Sequence, residues 1–212
     1  MKTKIYFADI SPLLEEKFFT KKYAEVSDCR KAKIDKMKFQ KDKCLSLGAG
    51  LLLKQALSEC GIEENSVQYS VGENGKPKID GIEFNLSHSE KIAMCAVSDF
   101  SVGCDVELIK DADLKIADRF FTETEVKQIN GNTDTFFRLW TLKESFIKAT
   151  GLGMSLPLNQ FCIHLDNGIE VEQNISNNRF SFFEFDLSDY YKFSCCIENS
   201  TEAPEIIKVI FS

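Results

Sequence analysis

The sequence predicts an α+β fold, because its helix-forming and strand-forming stretches lie in separate runs along the chain. Apolar residues recur at helical spacing in two long stretches, residues 34–60 and 136–150. Strand patterns precede and follow each of them, so the order strand, helices and closing strands occurs twice. We therefore predict an N-terminal α+β half over residues 1–102 and a C-terminal α+β half over residues 103–212. The halves show no convincing repeat at the level of individual residues.

The composition is typical of a protein with a sizeable core. Of its 212 residues 43% are hydrophobic, and 18 are phenylalanine. The formal net charge of −7 and the pI near 5.0 argue against binding to the phosphate backbone of nucleic acids. No apolar stretch is long enough for a signal peptide or a membrane helix. We therefore expect a cytoplasmic protein that has neither a nucleic acid nor a membrane as its partner.

Eight cysteines occur in the chain, and none of them forms a CxxC pair. Several lie within apolar segments such as IAMCAV and FSCCI, which is typical of reduced cysteines in a core. A disulfide framework or a zinc site is the alternative. His88 and His164 are the two histidines, so a His-rich metal site is excluded.

The first half opens with an alternating pattern at residues 4–10, which predicts a strand. Ser11 and Pro12 then begin a short helix. The helical pattern that follows reaches residue 60, either as one long helix or as two abutting helices. Gly48 and Gly50 cost stability inside a helix, and they indicate the close approach of another backbone or of a ligand.

A basic segment, residues 17–43, carries the largest charge asymmetry of the chain. It contains ten Lys or Arg against four acids, a local charge of +6. A basic helix face of this kind is often only solvated. The functional alternative is an anion site that uses Arg30 and Lys33, which lie one turn apart near a helix start where the dipole favours anions.

Four strand patterns follow the long helix: residues 66–71, 84–89, 91–98 and 101–108. The last of them reads SVGCDVEL. Because strand side chains alternate, Asp105 and Glu107 project from one face, about 7 Å apart at the backbone. Two such carboxylates repel each other, so a cation or a basic side chain should lie between them. An exposed acidic sheet face is the alternative.

The segment FFRLWTLKESFIKATGLGMSLP, residues 136–157, predicts a helix that ends near Thr150. Glu144 and Lys148 fall at the border of its apolar stripe, where an acid and a base can face a cleft. Lys143 falls within the apolar arc, where an amine is costly unless an anion meets it. The alternative is a surface Glu-Lys pair with Lys143 extending over the core.

The other elements of the second half follow from local signals. A helix is predicted at 111–121, and Thr122 with Glu125 forms a capping box for the next helix. The chain then turns to strands, predicted at residues 160–165, 169–173, 180–186, 191–198 and 206–211.

Three segments together, FNLSHS, GCDVE and LWTLKESFIKATGLGMSLPL, resemble the 4′-phosphopantetheinyl transferases of the surfactin-synthetase type. The resemblance extends over nearly the whole chain. It implies two similar α+β halves related by a pseudo-twofold axis, in a monomer that binds coenzyme A between them. It also implies transfer of the 4′-phosphopantetheine arm to a serine of an acyl or peptidyl carrier protein, with release of adenosine 3′,5′-bisphosphate.

The resemblance carries over to individual residues. It implies that Mg²⁺, or Mn²⁺ in its place, is bound by Asp105, Glu107 and Glu144, a set of hard oxygen ligands that this cation prefers. The catalytic residues that it implies are Glu144 and Lys148. Coenzyme A contacts are implied at Arg30, Lys33, Ser46, Lys76, Ser87 and His88.

Two other functions remain open at this stage. A magnesium-dependent pyrophosphate hydrolase or nucleotide enzyme would use the same carboxylates without a carrier protein. A non-catalytic partner-binding homologue would have no need of the intact acidic set and its lysine. For an enzyme that modifies a carrier, we expect an apolar docking patch with a basic rim, formed by Lys110, Lys115, Arg119, Phe120 and Phe121.

Overall fold

The computed structural model describes all 212 residues and contains six α-helices and eleven β-strands. None of the helices is both long and apolar enough to span a lipid bilayer. The helices are α1 (Glu16–Tyr23), α2 (Asp28–Asp35), α3 (Gln40–Glu59), α4 (Lys115–Phe120), α5 (Glu123–Ile129) and α6 (Thr133–Thr150). The strands are β1 (Lys4–Asp9), β2 (Ser70–Val71), β3 (Pro77–Lys78), β4 (Glu83–Ser89), β5 (Ile92–Ser98), β6 (Val102–Leu108), β7 (Cys162–His164), β8 (Glu170–Glu172), β9 (Phe180–Glu184), β10 (Tyr191–Glu198) and β11 (Glu205–Lys208).

The first sheet has four strands in the order β11-β1-β5-β4, and α3 packs against its three strands β1, β5 and β4. Strand β5 is buried almost throughout, which explains why its sequence is a continuous apolar run. The close approach predicted at α3 involves side chains, Ile10 at Gly48 and Arg30 at Gly50, and not another backbone. A Cβ atom added at Gly48 would lie 2.5 Å from a side-chain carbon of Ile10.

The second sheet has three strands in the order β6-β10-β9, and α6 packs on β6 and β10. Both sheets repeat one arrangement. In the first sheet, β1 pairs antiparallel with β5, and β5 pairs antiparallel with β4. In the second sheet, β6 pairs antiparallel with β10, and β10 pairs antiparallel with β9. The shared strand order supports two similar halves, and the twofold axis between them stays a prediction.

The last strand returns to the first sheet. Strand β11 runs parallel to β1, with Ile206 opposite Ile5. By hydrogen bonding it belongs to the first sheet, although it lies within the predicted C-terminal half. A buried apolar cluster that includes Ile5, Met94, Val102 and Phe193 lies between the sheets and joins the halves. The division between residues 102 and 103 stays a prediction.

Several predicted elements have different bounds in the structure. The strand predicted at 66–71 is reduced to β2, because Ser66 ends a 3-10 turn and residues 67–69 lie in no regular element. The long helical pattern is broken between α2 and α3, where Phe39 is extended and precedes the first turn of α3. The helix predicted from residue 111 begins at Lys115 as α4. All eight cysteines are free thiols, six of them buried.

A buried ion pair connects α5 with α6. Lys143 and Glu125 are both fully buried and form a salt bridge. The Lys143 amine also donates to the Phe161 carbonyl oxygen at 2.8 Å, and the backbone nitrogen of Ile163 donates to Glu125 at 2.8 Å. Glu125 closes the predicted capping box with Thr122 as well. The expected anion for Lys143 is therefore Glu125.

Candidate active site

The polar side chains of β4 connect the two sheets. Asn85, Ser87 and Ser89 alternate along this strand and hydrogen-bond to β6. The Cys104 backbone nitrogen donates to Asn85 Oδ1 at 2.9 Å. Ser87 Oγ donates to Asp105 Oδ1 at 2.7 Å, and Ser89 Oγ donates to Glu107 Oε2 at 2.7 Å. Two hydroxyl groups from the first half thus orient two carboxylates of the second.

Helix α6 lies directly against β6 because Gly103 has no side chain. A Cβ atom at Gly103 would overlap the Ser145 carbonyl oxygen and the Ala149 nitrogen. This close packing brings Lys148 to the acidic face of β6, where its Nζ is 2.6 Å from Asp105 Oδ1. The basic side chain expected beside the two strand carboxylates is therefore Lys148. The alternative pairing of Lys148 with Glu144 does not form.

The charges of the site influence one another. Burial is the largest single influence on the pKa of the Lys148 amine and lowers it, but Asp105, Cys104 and Glu144 together outweigh burial, so the pKa is raised overall. Burial raises the pKa of Glu107, and the negative charge of Asp105 raises it further. The same two causes raise the pKa of Glu144. Lys148 is thus a fixed cation at neutral pH, beside carboxylates that repel one another.

The acidic set fits a hard divalent cation by its chemistry. Asp105 is 3% exposed, and its Oδ2 atom is buried without a hydrogen-bond partner. An unpaired buried carboxylate oxygen is costly, and a cation would offset that cost. Glu107 and Glu144, both half-buried, add further oxygen atoms beside it. The side chains as they stand are not gathered into a cluster of three metal-ligating groups.

A cavity of about 640 Å³, called here the interface cavity, lies beside this site. Glu144 and Lys148 form part of its wall on the side of α6. Asn85 and Lys76 contribute from the first half, so the cavity lies between the halves. Its other wall residues are Asn74, Gly75, Pro77, Arg119, Phe120, Ile147, Gly151, Gly153, Met154, Leu156, Pro157, Leu158 and Asn159.

A second cavity of about 240 Å³, called here the anion pocket, contains Arg30 and Lys33. It shares the wall residues Pro77 and Asn85 with the interface cavity, so the two cavities lie side by side. Arg30 is 9% exposed, and its side chain packs on Gly50 of α3. Desolvation lowers the pKa of Lys33, and the positive charge of Arg30 lowers it further. Two unneutralised cations thus share one pocket.

The remaining predicted coenzyme contacts lie in different surroundings. Ser46 Oγ is buried without a partner, one helical turn before Gly50 and therefore on the same face of α3 as the anion pocket. Lys76 Nζ donates to the Val102 carbonyl oxygen at 3.0 Å. His88 is exposed on β4, with its side chain opposite in direction to Ser87.

The predicted docking patch is wrong at one residue. Phe121 is 5% exposed and packs against Phe136 and Trp140, so it belongs to the core. Phe120 and Arg119 line the interface cavity, and the docking of a carrier at this patch stays a prediction. Ile116 is exposed on α4, and Met154 is fully exposed at the cavity rim.

Sequence reasoning missed Asn85 and Ser89 as site residues. Their signal was present in FNLSHS, because Asn85, Ser87 and Ser89 recur every second residue on one side of β4. A polar side of a strand next to a buried strand indicates hydrogen bonding to a neighbouring element.

Comparison with known proteins shows which family the chain resembles. The description of the matching family is "4′-phosphopantetheinyl transferase superfamily", and the match covers residues 101–197. The chain is 39% identical over 158 residues to the 4′-phosphopantetheinyl transferase gsp of Aneurinibacillus migulanus, covering 71% of this chain and 66% of that protein. It is 31% identical over 196 residues to the 4′-phosphopantetheinyl transferase Sfp of Bacillus subtilis strain 168, covering 87% of each.

A further relative, a 4′-phosphopantetheinyl transferase of Bacillus subtilis, is 32% identical over 184 residues, which are 82% of each chain. The family match at residues 101–197 includes β6, α6 and the elements between them. The chain therefore belongs to the 4′-phosphopantetheinyl transferase family, an enzyme family, and within it to the surfactin-synthetase type.

Proposed function

We propose that the protein transfers the 4′-phosphopantetheine arm of coenzyme A to a serine hydroxyl of an apo acyl or peptidyl carrier protein. Adenosine 3′,5′-bisphosphate is the second product, and the reaction requires Mg²⁺ or Mn²⁺. One observation carries this proposal. The Lys148–Asp105 pair lies with two more carboxylates beside a cavity between the halves, and that cavity adjoins the cationic anion pocket.

The two cavities match the two charged groups of coenzyme A, its 3′-phosphate and its pyrophosphate. The 3′-phosphate is a dianion at the far end of the nucleotide, and Arg30 can bind it with two parallel hydrogen bonds. The buried hydroxyl of Ser46 supplies a further donor on the same side. The pyrophosphate would then lie beside Lys148 and Glu144, where the interface cavity leaves room for the pantetheine arm and the incoming serine.

The reaction exchanges one P–O bond for another. The serine oxygen attacks the pantetheine-linked phosphorus, a new P–O bond forms, and the bond to the bridging pyrophosphate oxygen breaks. Asp105, Glu107 and Glu144 would hold the metal ion, which when bound neutralises charge on the pyrophosphate. Glu144 faces the cavity, and we assign it to the serine as a candidate proton acceptor.

The experiment that tests this function uses intact-mass spectrometry. We expect an apo carrier protein to gain one phosphopantetheine group when it is incubated with the protein, coenzyme A and Mg²⁺. Excess chelator should abolish the gain. Coenzyme A cleavage with no change in the carrier would instead indicate the hydrolase. Transfer that persists undiminished in chelator would exclude the metal requirement.

Lys148 has a distinct role in the proposed reaction. The leaving group is a phosphate whose final protonation has a pKa of about 6, so it can depart at neutral pH without a proton donor. A fixed positive charge beside the bridging oxygen stabilises the transition state instead. The raised pKa of Lys148 suits such a charge, because it keeps the amine protonated.

We therefore expect Lys148→Met to lower kcat by about a hundred-fold or more. Lys148→Arg should retain measurable transfer, because arginine keeps the charge but does not give up its proton in a protein. Single-turnover kinetics at saturating coenzyme A measure both rates, and calorimetry with coenzyme A checks binding. If arginine is as inactive as methionine while coenzyme A still binds, proton donation or strict geometry replaces the electrostatic role.

The anion pocket yields a separate prediction. Arg30→Ala and Lys33→Ala should each raise KM for coenzyme A by roughly ten-fold to a hundred-fold, since a charge-assisted hydrogen bond contributes about 1.5–3 kcal/mol. The value of kcat should change little, because the 3′-phosphate is remote from the reacting bond. Dephospho-coenzyme A should show little further loss in these variants. Variants that still discriminate fully against the dephospho form would place the 3′-phosphate elsewhere.

A further inference from the structure

Cys29 differs from the other seven cysteines because it is exposed. Six of the others are buried, and Cys60 is half-buried with its Sγ 3.2 Å from Met1 Sδ. Burial raises the pKa of Cys60, as it does for the buried Cys95 and Cys104, and so disfavours their reactive thiolate forms. A thiol reagent in solution therefore meets Cys29 before the other thiols of the chain.

Cys29 also lies in the wall of the anion pocket, together with Arg30 and Lys33. The guanidinium of Arg30 belongs to a side chain that is 9% exposed, and it forms no hydrogen bond or ion pair within the protein. Its guanidinium nitrogens remain accessible in the pocket wall and are not paired inside the protein, so the pocket offers an unneutralised cation to an anion. This feature is independent of the cysteine.

Charges around Cys29 extend the positive potential of the anion pocket. The segment 17–43 carries a local charge of +6, and Cys29 is the second residue of α2, where the helix dipole also favours negative charge. A potential of one sign around a pocket raises the rate at which oppositely charged molecules enter it. Anionic thiol reagents should therefore reach Cys29 faster than neutral ones.

We propose that Cys29 is a site of reversible modification by anionic disulfides, and that the attached group closes the anion pocket. The Cys29 proton passes to solvent, and the thiolate attacks one sulfur of the disulfide. A new S–S bond forms to Cys29, the original S–S bond breaks, and the second half of the reagent leaves as a thiolate with the bonding electron pair. The exchange needs no other oxidant.

Modification of Cys29 and closure of the anion pocket depend on different properties of the protein. Modification of Cys29 depends on exposure and charge alone. Closure of the site to coenzyme A rests on the proposed function. The pocket has a volume of about 240 Å³, so a group attached to a thiol in its wall would occupy the space assigned to the 3′-phosphate.

The first test compares two probes, the dianionic dithiobis(nitrobenzoate) and the neutral dithiodipyridine. With the native protein, we expect a fast phase of one released thiolate, and peptide mass mapping should place the modification at Cys29. Cys29→Ser should lack that phase.

The double variant Arg30→Ala/Lys33→Ala should slow the reaction of the anionic probe by about ten-fold and leave the rate of the neutral probe unchanged. The proposal would be overturned if the anionic probe reacted equally fast with the native protein and with the double variant. It would also be overturned if the fast phase mapped to Cys60.

The second test measures closure by calorimetry with adenosine 3′,5′-bisphosphate, which avoids any need for transfer activity. The protein treated with the anionic probe should lose binding and regain it after reduction with dithiothreitol. Cys29→Ser, compared with its own untreated sample, should bind equally well after treatment. Full binding by the modified wild type would overturn closure. If the untreated protein does not bind this nucleotide, the proposed function and closure both fail, and the labelling test still decides the modification.

Discussion

Replacement of Asp105 by alanine is expected to lower kcat for phosphopantetheinyl transfer by about a thousand-fold, or roughly 4 kcal/mol of transition-state stabilisation. This carboxylate has two tasks. Its Oδ1 atom accepts hydrogen bonds from Lys148 at 2.6 Å and from Ser87 at 2.7 Å, while its buried Oδ2 atom has no partner. Alanine would leave Lys148 without its counter-charge and would remove a proposed metal ligand at the same time.

The matched control is Ser101→Ala, immediately before β6. Ser101 Oγ donates to the Ala149 carbonyl oxygen at 2.7 Å, so this change removes one hydrogen bond to α6 and costs about 1 kcal/mol of stability. We expect its kcat to stay near that of the wild type. Asp105→Asn, which keeps the shape but not the charge, should be almost as slow as Asp105→Ala. Equal losses in Ser101→Ala and Asp105→Ala would make β6 a purely structural strand.

Lys143→Met is expected to lower the free energy of unfolding by about 3–5 kcal/mol, because it leaves a buried carboxylate without its partner. Lys143 and Glu125 have no exposed surface, and the amine also contacts the face of Phe161 at 4.1 Å from the ring centroid. Methionine can fill the space but cannot neutralise Glu125. The free energy is measured by urea unfolding followed by circular dichroism.

Lys192→Met provides the control for this prediction. Lys192 pairs with Asp134 at 2.8 Å, with side chains that are 25% and 55% exposed. A solvated pair of this kind contributes about 1 kcal/mol or less. The two variants carry the same chemical change, so their difference isolates burial. If Lys143→Met were no more destabilising than Lys192→Met, the buried pair would not be what holds α5 against α6.

The sequence by itself determined which way the candidate side chains project. The spacing of apolar residues in α6 placed Glu144 and Lys148 at one edge of the helix, and strand alternation placed Asp105 and Glu107 on one face of β6. Both results follow from backbone repeats that span only a few residues. The same local rules predicted an anion beside Lys143 and the capping box at Thr122.

Only the tertiary structure decided which of these groups meet. The sequence offered Glu144, one helical turn away, as a partner for Lys148, but the amine bonds to Asp105, 43 residues away in the chain. That choice depends on Gly103, whose missing side chain lets α6 lie on the acidic face of β6. An alternation pattern shows which way a side chain projects and not what lies opposite.

Short sequence patterns also fail to predict the burial of single side chains and the order of distant strands. Phe121 packs inward and Cys29 stays exposed, although neither local sequence distinguishes these outcomes. Strand β11 joins the first sheet beside β1, some 200 residues earlier in the chain. Contacts of this range depend on strand order and on how closely the layers approach each other. Those quantities are set by the packing of the whole core and are absent from any short window of sequence.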